Sequence, residues 1–449
     1  MKRIFNILYS CHKWFGIPLA LMFIAWYVSG AVMLYHPFPH LTPATTPVAE
    51  ADASQLVELW QEVPDTFSDC RMVFSGRHLL IKADRKLIGG YTPTLDDLQI
   101  IESSFGTEIE KVDTLSDIDK WIPFNRLMEH LPIYRITGID KSYTYVSSQT
   151  GEILQHNTLS GRRWAWVGAL PHYVYITPLR RDSELWHNTV IWMSGLCTVS
   201  VIFGLIIAVK FLLRTRRLRI FPRKSWRWHY SWGLFFGFSM LAFIFSGMMS
   251  LAKIPDWIMK SRPLPHPSAM IAKGDVDLSL LPETFGVVTI SANPLPAVKV
   301  TSGEDKYLLP VNDRTPLDFS PGNMGKVIAW QTGEPVMSIK SINNGVFYGQ
   351  HDCPGYEAET ENYTVYWNVE GFYRVMDRKA KAQAICYRVL HTMNIPSINR
   401  VKWLHDLFLW VLLLGGMVIV ATGTVLSVKS LYWRKKYSSA HFDNNKKCR

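Results

Sequence analysis

The stretches "HKWFG" (His12–Gly16) and "HYSWG" (His229–Gly233) each set a histidine four residues ahead of a glycine, at the mouth of a long apolar run. A residue four positions on lies on the same helix face, one turn deeper. The glycine leaves room there for a flat macrocycle or for the backbone of a neighbouring helix. The run Gly233-Leu-Phe-Phe-Gly237 has the spacing of a helix-packing contact as well.

The recurrence extends far beyond these two stretches. A shift of 217 residues carries His12, Gly16, Ser29 and Gly30 onto His229, Gly233, Ser246 and Gly247. A shift of 218 lays "LWHNTVIW", with His187, on "WLHDLFLW", with His405. A shift of 219 carries His172 onto His391, and one of 220 carries Tyr143 and Gly151 onto Tyr363 and Gly371. The chain therefore reads as two copies of one unit.

Four apolar runs, 14–35, 189–213, 232–251 and 407–428, match the roughly 20 residues that a helix needs to cross about 30 Å of hydrocarbon. The first is longer than a signal-peptide core and ends in Tyr35-His36-Pro37, so it reads as a retained anchor. Arg214, Arg216, Arg217, Arg219, Arg223, Lys224 and Arg227 lie between the second and third runs, and Lys429, Arg434, Lys435 and Lys436 follow the fourth. The positive-inside rule makes both segments, and both termini, cytoplasmic. The formal charge of +11 is thereby explained by orientation, and no further signal points to nucleic acid.

The expected class is an α-helical membrane protein with four transmembrane helices from two parallel repeats and two external domains. The segmentation is 1–36 for the N-terminus and first helix, 37–171 for the first external domain, 172–213 for an outer histidine segment and the second helix, and 214–228 for the basic loop. The third helix takes 229–252, the second external domain 253–390, an outer histidine segment and the fourth helix 391–428, and the tail 429–449. Both copies enter from the same side, so equivalent residues fall at equal depth.

Ionisable residues at membrane depth are costly and face a partner in the bundle interior. A pseudo-symmetric pair at one depth can offer two axial imidazoles to one metal. Haem b suits two ligands, and without Cys-x-x-Cys-His a covalent c-type attachment is excluded. Zinc, which takes three or four protein ligands, is a poorer match. His12 with His229 forms the inner candidate pair. His172 with His391 and His187 with His405 are alternative outer pairs, and the second alternative has the advantage of opening the helices. His36, His40, His78, His130, His156, His266 and His351 have no histidine counterpart and read as ordinary external residues. Cys353 and Cys386 fall in the second external domain, where an oxidising compartment permits a disulfide.

The segment "LPIYRITGIDKSYTYVSSQTGEILQ", Leu131–Gln155, alternates as antiparallel strands joined by tight turns. It resembles the PepSY module. With the flanking helices, nearly the whole chain resembles the PepSY-associated transmembrane family of bacterial inner-membrane proteins, which includes haem-bearing siderophore reductases. The second copy lacks a clear Thr-Gly turn. The resemblance implies α+β PepSY-like periplasmic domains, two haem b groups, His12 and His229 at the cytoplasmic ends of the first and third helices, and His172 and His391 as the outer ligands.

No glycine-rich nucleotide fingerprint, P-loop, nucleophile elbow or His-Glu-x-x-His occurs. The short cytoplasmic segments cannot hold a nicotinamide or flavin domain. Electrons must then come from quinol or a partner reductase. Trp121, Trp164, Trp166, Tyr173, Tyr175 and Trp330, bordered by Tyr35, His36, Arg180 and Arg181, are candidates to line an acceptor pocket. The expected activity is that of a haem-dependent oxidoreductase reducing a ferric siderophore or other ferric chelate. The alternative is a haem-free membrane-anchored PepSY protein that binds or inhibits a periplasmic peptidase.

Overall fold

A computed structural model describes residues 2–216, 221, 223–267, 269–314, 317–350, 353–395, 397–399 and 401–446. Arg217, Arg219, His351, Pro396 and Cys448 lie outside them. Four helices are long and apolar enough to cross a membrane: α1 (Lys2–Met33), α2 (Ser183–Thr215), α3 (Lys224–Ala252) and α4 (Lys402–Lys446). Each outruns its apolar stretch, because polar flanks continue the helix without a breaker. Pro18 is accommodated at the middle of α1.

The helices close a ring in which α1 touches α2 and α4, and α3 touches α2 and α4. Phe23, Tyr27, Cys197, Val201, Met240, Ile244 and Leu413 fill its middle. Glycines let the helices approach: a Cβ on Gly237 would stand 2.7 Å from Leu205 Cδ2. In a bilayer, lipid tails would give helices no hydrophobic reason to associate, and such close packing is what would hold the bundle together.

The helical unit comprises residues 1–37, 166–258 and 382–449, and a second compact unit comprises 38–165 and 259–381. The second is α+β. In its first segment, β1 (Asp69–Ser75), β2 (His78–Ala83) and β3 (Lys86–Ile88) form a meander, and β4 (Ile109–Leu115), β5 (Ile133–Gly138), β6 (Tyr143–Ser147) and β7 (Ile153–Asn157) form a four-stranded antiparallel sheet in chain order. The second segment gives a meander of β8 (Val287–Ser291), β9 (Ala297–Ser302) and β10 (Asp305–Pro310), and a sheet of β11 (Ser338–Ile342), β12 (Gly355–Glu359), β13 (Tyr363–Trp367) and β14 (Tyr373–Asp377).

The strands expected after Tyr134 are present as β5, β6 and β7. Gly151, at φ +70°, makes the turn before β7, and Gly371, at φ +74°, makes the turn before β14. Only glycine takes that conformation cheaply.

The division into two external domains needs revision. The meanders join edge to edge, β1 against β8 with Val73 opposite Val287 and Cys70 opposite Ile290, giving one six-stranded sheet in the order β10-β9-β8-β1-β2-β3. Phe67, Met72, Phe74, Ile81, Phe285 and Ile290 build one core from both segments. Each meander alone would leave an unpaired apolar edge, which pairing removes.

The permitted Cys353–Cys386 disulfide is not formed. Neither sulfur is in a disulfide, and the two cysteines lie one in each unit. Cys353 Sγ instead donates to Glu370 Oε2 at 3.4 Å. Of the histidines without a counterpart in the repeat, His78 meets Asp97 at 3.1 Å, His156 stacks on Phe105 and His266 on Trp330. The aromatic residues expected around an acceptor are divided, with Trp121, Trp164 and Trp330 in the α+β unit and Trp166, Tyr173 and Tyr175 in the helical one.

Candidate functional site: two histidine pairs

Two pairs of imidazoles meet inside the helical unit. The rings of His12 and His229 have centroids 6.1 Å apart, and those of His172 and His391 also 6.1 Å apart, tilted by 34° and 61° respectively. A metal held between two ring nitrogens needs about 6 Å between ring centres, from two bonds of about 2 Å and about 1 Å within each ring. Both pairs have that spacing.

Each ring is fixed through Nδ1. His12 Nδ1 donates to the Ser200 carbonyl at 2.8 Å, and His229 Nδ1 to the Ile419 carbonyl at 3.1 Å. Position 419 is position 200 shifted by 219, so the two anchors are equivalent. In the other pair, His172 Nδ1 donates to Ser29 Oγ at 3.1 Å, and His391 Nδ1 lies 3.1 Å from Ser246 Oγ and 3.0 Å from the Phe243 carbonyl. Ser29 and Ser246, both fully buried, pass their own protons to the carbonyls of Trp26 and Phe243. Each hydroxyl is then left as an acceptor.

Donation from Nδ1 fixes the tautomer and leaves Nε2 with its lone pair. Among the described residues no hydrogen bond engages Nε2 in any of the four.

Glycines set the ring positions. A Cβ on Gly204 would lie 2.7 Å from His12 Cε1, on Gly423 3.0 Å from His229 Cε1, on Gly247 3.3 Å from His391 Cε1, and on Gly30 3.7 Å from His172 Cε1. These packing glycines are not the ones at i+4. A Cβ on Gly16 or Gly233 would meet nothing within 4 Å. Both instead line a cavity of ≈ 620 Å³ that also takes in His12 and His229. That volume falls in the range of cofactor pockets. Open space beside two glycines, with two imidazole rings whose centres are 6.1 Å apart, fits a flat macrocycle such as haem.

His172 and His391 are carried by short segments outside the long helices. Ala169–His172 is one helical turn, and Ile385–His391 is a π-helix, a local widening often found at functional sites. Two residues beyond each histidine the backbone is left-handed, at Val174 (φ +54°) and Met393 (φ +51°). A β-branched residue adopts that conformation only where its surroundings over-determine it. Here Tyr175 N–H bonds the Leu170 carbonyl at 2.9 Å, and Trp186 Nε1 bonds the Tyr173 carbonyl at 2.9 Å.

His187 and His405 do not meet. His187 Nε2 donates to the Leu251 carbonyl and His405 Nε2 to the Thr392 carbonyl, each at 3.1 Å. His405 thus buttresses the residue after His391. Among the described residues no three His, Cys, Asp or Glu side chains converge, as a site for a bare ion such as zinc would require.

Seventeen residues of α1 separate His12 from Ser29, and seventeen of α3 separate His229 from Ser246. At 1.5 Å per residue the two pairs lie about 25 Å apart along the bundle. Tyr27, Phe23, Met240 and Ile244 pack the interval, and Tyr27 and Phe243 meet edge to face at 6.5 Å.

Sequence reasoning marked Ser29 and Ser246 only as part of the repeat, not as histidine partners, and missed Gly204 and Gly423. The first two recur visibly at a shift of 217, and the glycines recur at 219, but which histidine each touches is a tertiary fact. No protein-family model matches this chain, and no curated protein matches it.

Proposed function

We propose that the protein is a membrane-spanning electron carrier, a haem-dependent reductase of a ferric siderophore or other ferric chelate. His12 with His229 would hold one haem b, and His172 with His391 a second. The observation that carries this reading is two imidazole pairs, each with ring centres 6.1 Å apart, Nδ1 anchored and Nε2 uncommitted. When bound, haem supplies one-electron chemistry that no side chain here offers.

The chain's own residues do the rest. The anchors orient the imidazoles, the apolar packing around Tyr27 and Met240 excludes water, and burial and hydrogen bonding tune the potential. The parallel two-copy organisation is supported by the recurring Ser-His and Gly-His contacts. It is supported too by reciprocal strand pairing, in which Ala49–Glu50 pairs with Thr284–Phe285, and Thr66–Phe67 with Ile271–Ala272. We place the basic loop and both termini in the cytoplasm of a bacterial inner membrane, the α+β unit in the periplasm, and the chain in the PepSY-associated transmembrane family. Electrons would enter from quinol or a partner reductase. Reduction of Fe(III) weakens its hold on hard oxygen ligands and frees the metal.

Detergent-purified protein from haem-replete cells is expected to carry about two non-covalent haem b groups per chain, read by acid-acetone extraction and a pyridine haemochrome assay. A colourless preparation would instead leave the peptidase-binding alternative.

The glycine contacts give a graded prediction. Gly204→Ala drives a methyl group against His12 and is expected to weaken haem binding at the inner pair about tenfold, within the span seen when groups supporting a ligand are disturbed. Gly30→Ala meets His172 only at ordinary contact distance and should leave the outer pair near wild type. Soret titration of both variants decides it, and equal effects would contradict the contact geometry.

A further inference from the structure

Resting on that haem reading, we infer that Lys13, Arg223 and Lys429 form the carboxylate-anchoring end of the inner site, so that a tetrapyrrole there is recognised by its two acid arms as well as by its iron. All three line the ≈ 620 Å³ cavity that His12 and His229 share, and no Asp or Glu among the described residues lines it with them.

Their placement is directional. Lys13 is the residue after His12. Arg223 stands six residues before His229 at the start of α3, and Lys429 six residues beyond Gly423, the glycine that packs on His229. At 1.5 Å per residue both lie about 9 Å from the level of His229, and toward the same end, since α3 and α4 run antiparallel. In the opposite direction along α1 and α3 the lining is apolar, with Ala20, Phe23 and Met240.

Arg223 and Lys429 thus give the cavity a cationic end opposite an apolar one, and Lys13, one residue past His12, adds a cation at the level of the imidazoles. A flat apolar molecule with two carboxylates on one edge has the complementary polarity.

Orientation in the membrane accounts for cations near this end in general, but not for which of them face the cavity. Lys210, for instance, lies over the Phe5 ring at 4.2 Å and is not among the lining residues. None of the three lining cations has an acidic partner among the described residues, and Lys13 Nζ lies 5.3 Å from the centre of the Trp14 ring, so a carboxylate entering the cavity competes with no other anion. Lysine and arginine both hold carboxylates through charge-assisted hydrogen bonds.

The test titrates haem b and haem b dimethyl ester, in which both acid arms are neutral, into haem-free full-length protein, followed by the Soret band. The binding phase that His12→Ala removes reports the inner site, and the remaining phase reports that each variant is folded. Wild type is expected to bind the ester about tenfold more weakly than haem at the inner phase, the sum of three partly exposed charge contacts. Lys13→Gln/Arg223→Gln/Lys429→Gln should bind haem about tenfold more weakly and no longer discriminate, with the outer phase unchanged. The other cations of the loop preserve the orientation signal in that variant. Equal affinity of wild type for haem and ester, or unchanged discrimination in the triple variant, would overturn this assignment while leaving the haem reading intact. Failure of wild type to bind haem at all would overturn both.

Discussion

Full-length protein carrying His172→Ala or His391→Ala is expected to retain one haem of two and to lose reduction of an external ferric chelate to background, whereas His187→Ala and His405→Ala keep most of both. The first two rings face each other at 6.1 Å with Nε2 uncommitted. The other two spend Nε2 on backbone carbonyls. A lost axial ligand removes the group from the site, while a lost buttress only weakens binding or tunes potential. Haem stoichiometry and dithionite-reduced spectra of the four variants measure this. Loss in the 187 and 405 variants with retention in the 172 and 391 variants would move the outer site to the starts of α2 and α4.

The second large effect concerns the inner pair. His12→Ala and His229→Ala should each remove the same single haem, leaving a spectrum that the double variant does not change further. Two residues that hold one group are non-additive, because either loss already empties the site. The outer haem should survive, since about 25 Å of packed helix separates the pairs. If one of these variants keeps a complete bis-histidine spectrum, His12 and His229 are not partners. A haem-free but intact outer site in wild type would be equally damaging to the two-site reading.

How much of this was legible beforehand differs by feature. The four helices follow from apolar length, which bilayer thickness converts directly into a span. The first three-stranded motif follows from alternation around Tyr134, Tyr143 and Gly151, because a glycine with positive φ punctuates the chain locally. The histidine pairs follow from fixed offsets between the two halves. The merger of two expected external domains into one six-stranded sheet was not legible, since nothing local in Asp69–Ser75 or Val287–Ser291 says which edge each strand will find. The same holds for the disulfide. Redox compartment and composition permit a bridge between Cys353 and Cys386, but only the fold decides whether two sulfurs approach within bonding range.

The sequence by itself determined the number of helices long and apolar enough to cross a membrane, the basic segments that flank them and the recurrence of His12, His172, His187 and Gly16 in a second half, because these are properties of spacing and composition along one chain. Only the tertiary structure showed which of two equally symmetric histidine pairs comes together. It turned His172 and His391 toward each other by short segments bent back at Val174 and Met393, and it tied His187 and His405 to carbonyls. It likewise exchanged the roles of the glycines, leaving Gly16 and Gly233 facing open space and setting Gly204 and Gly423 against the rings. Periodicity places a residue on a face of its own helix; what that face meets is fixed by how the helices pack, and that is information no single helix carries.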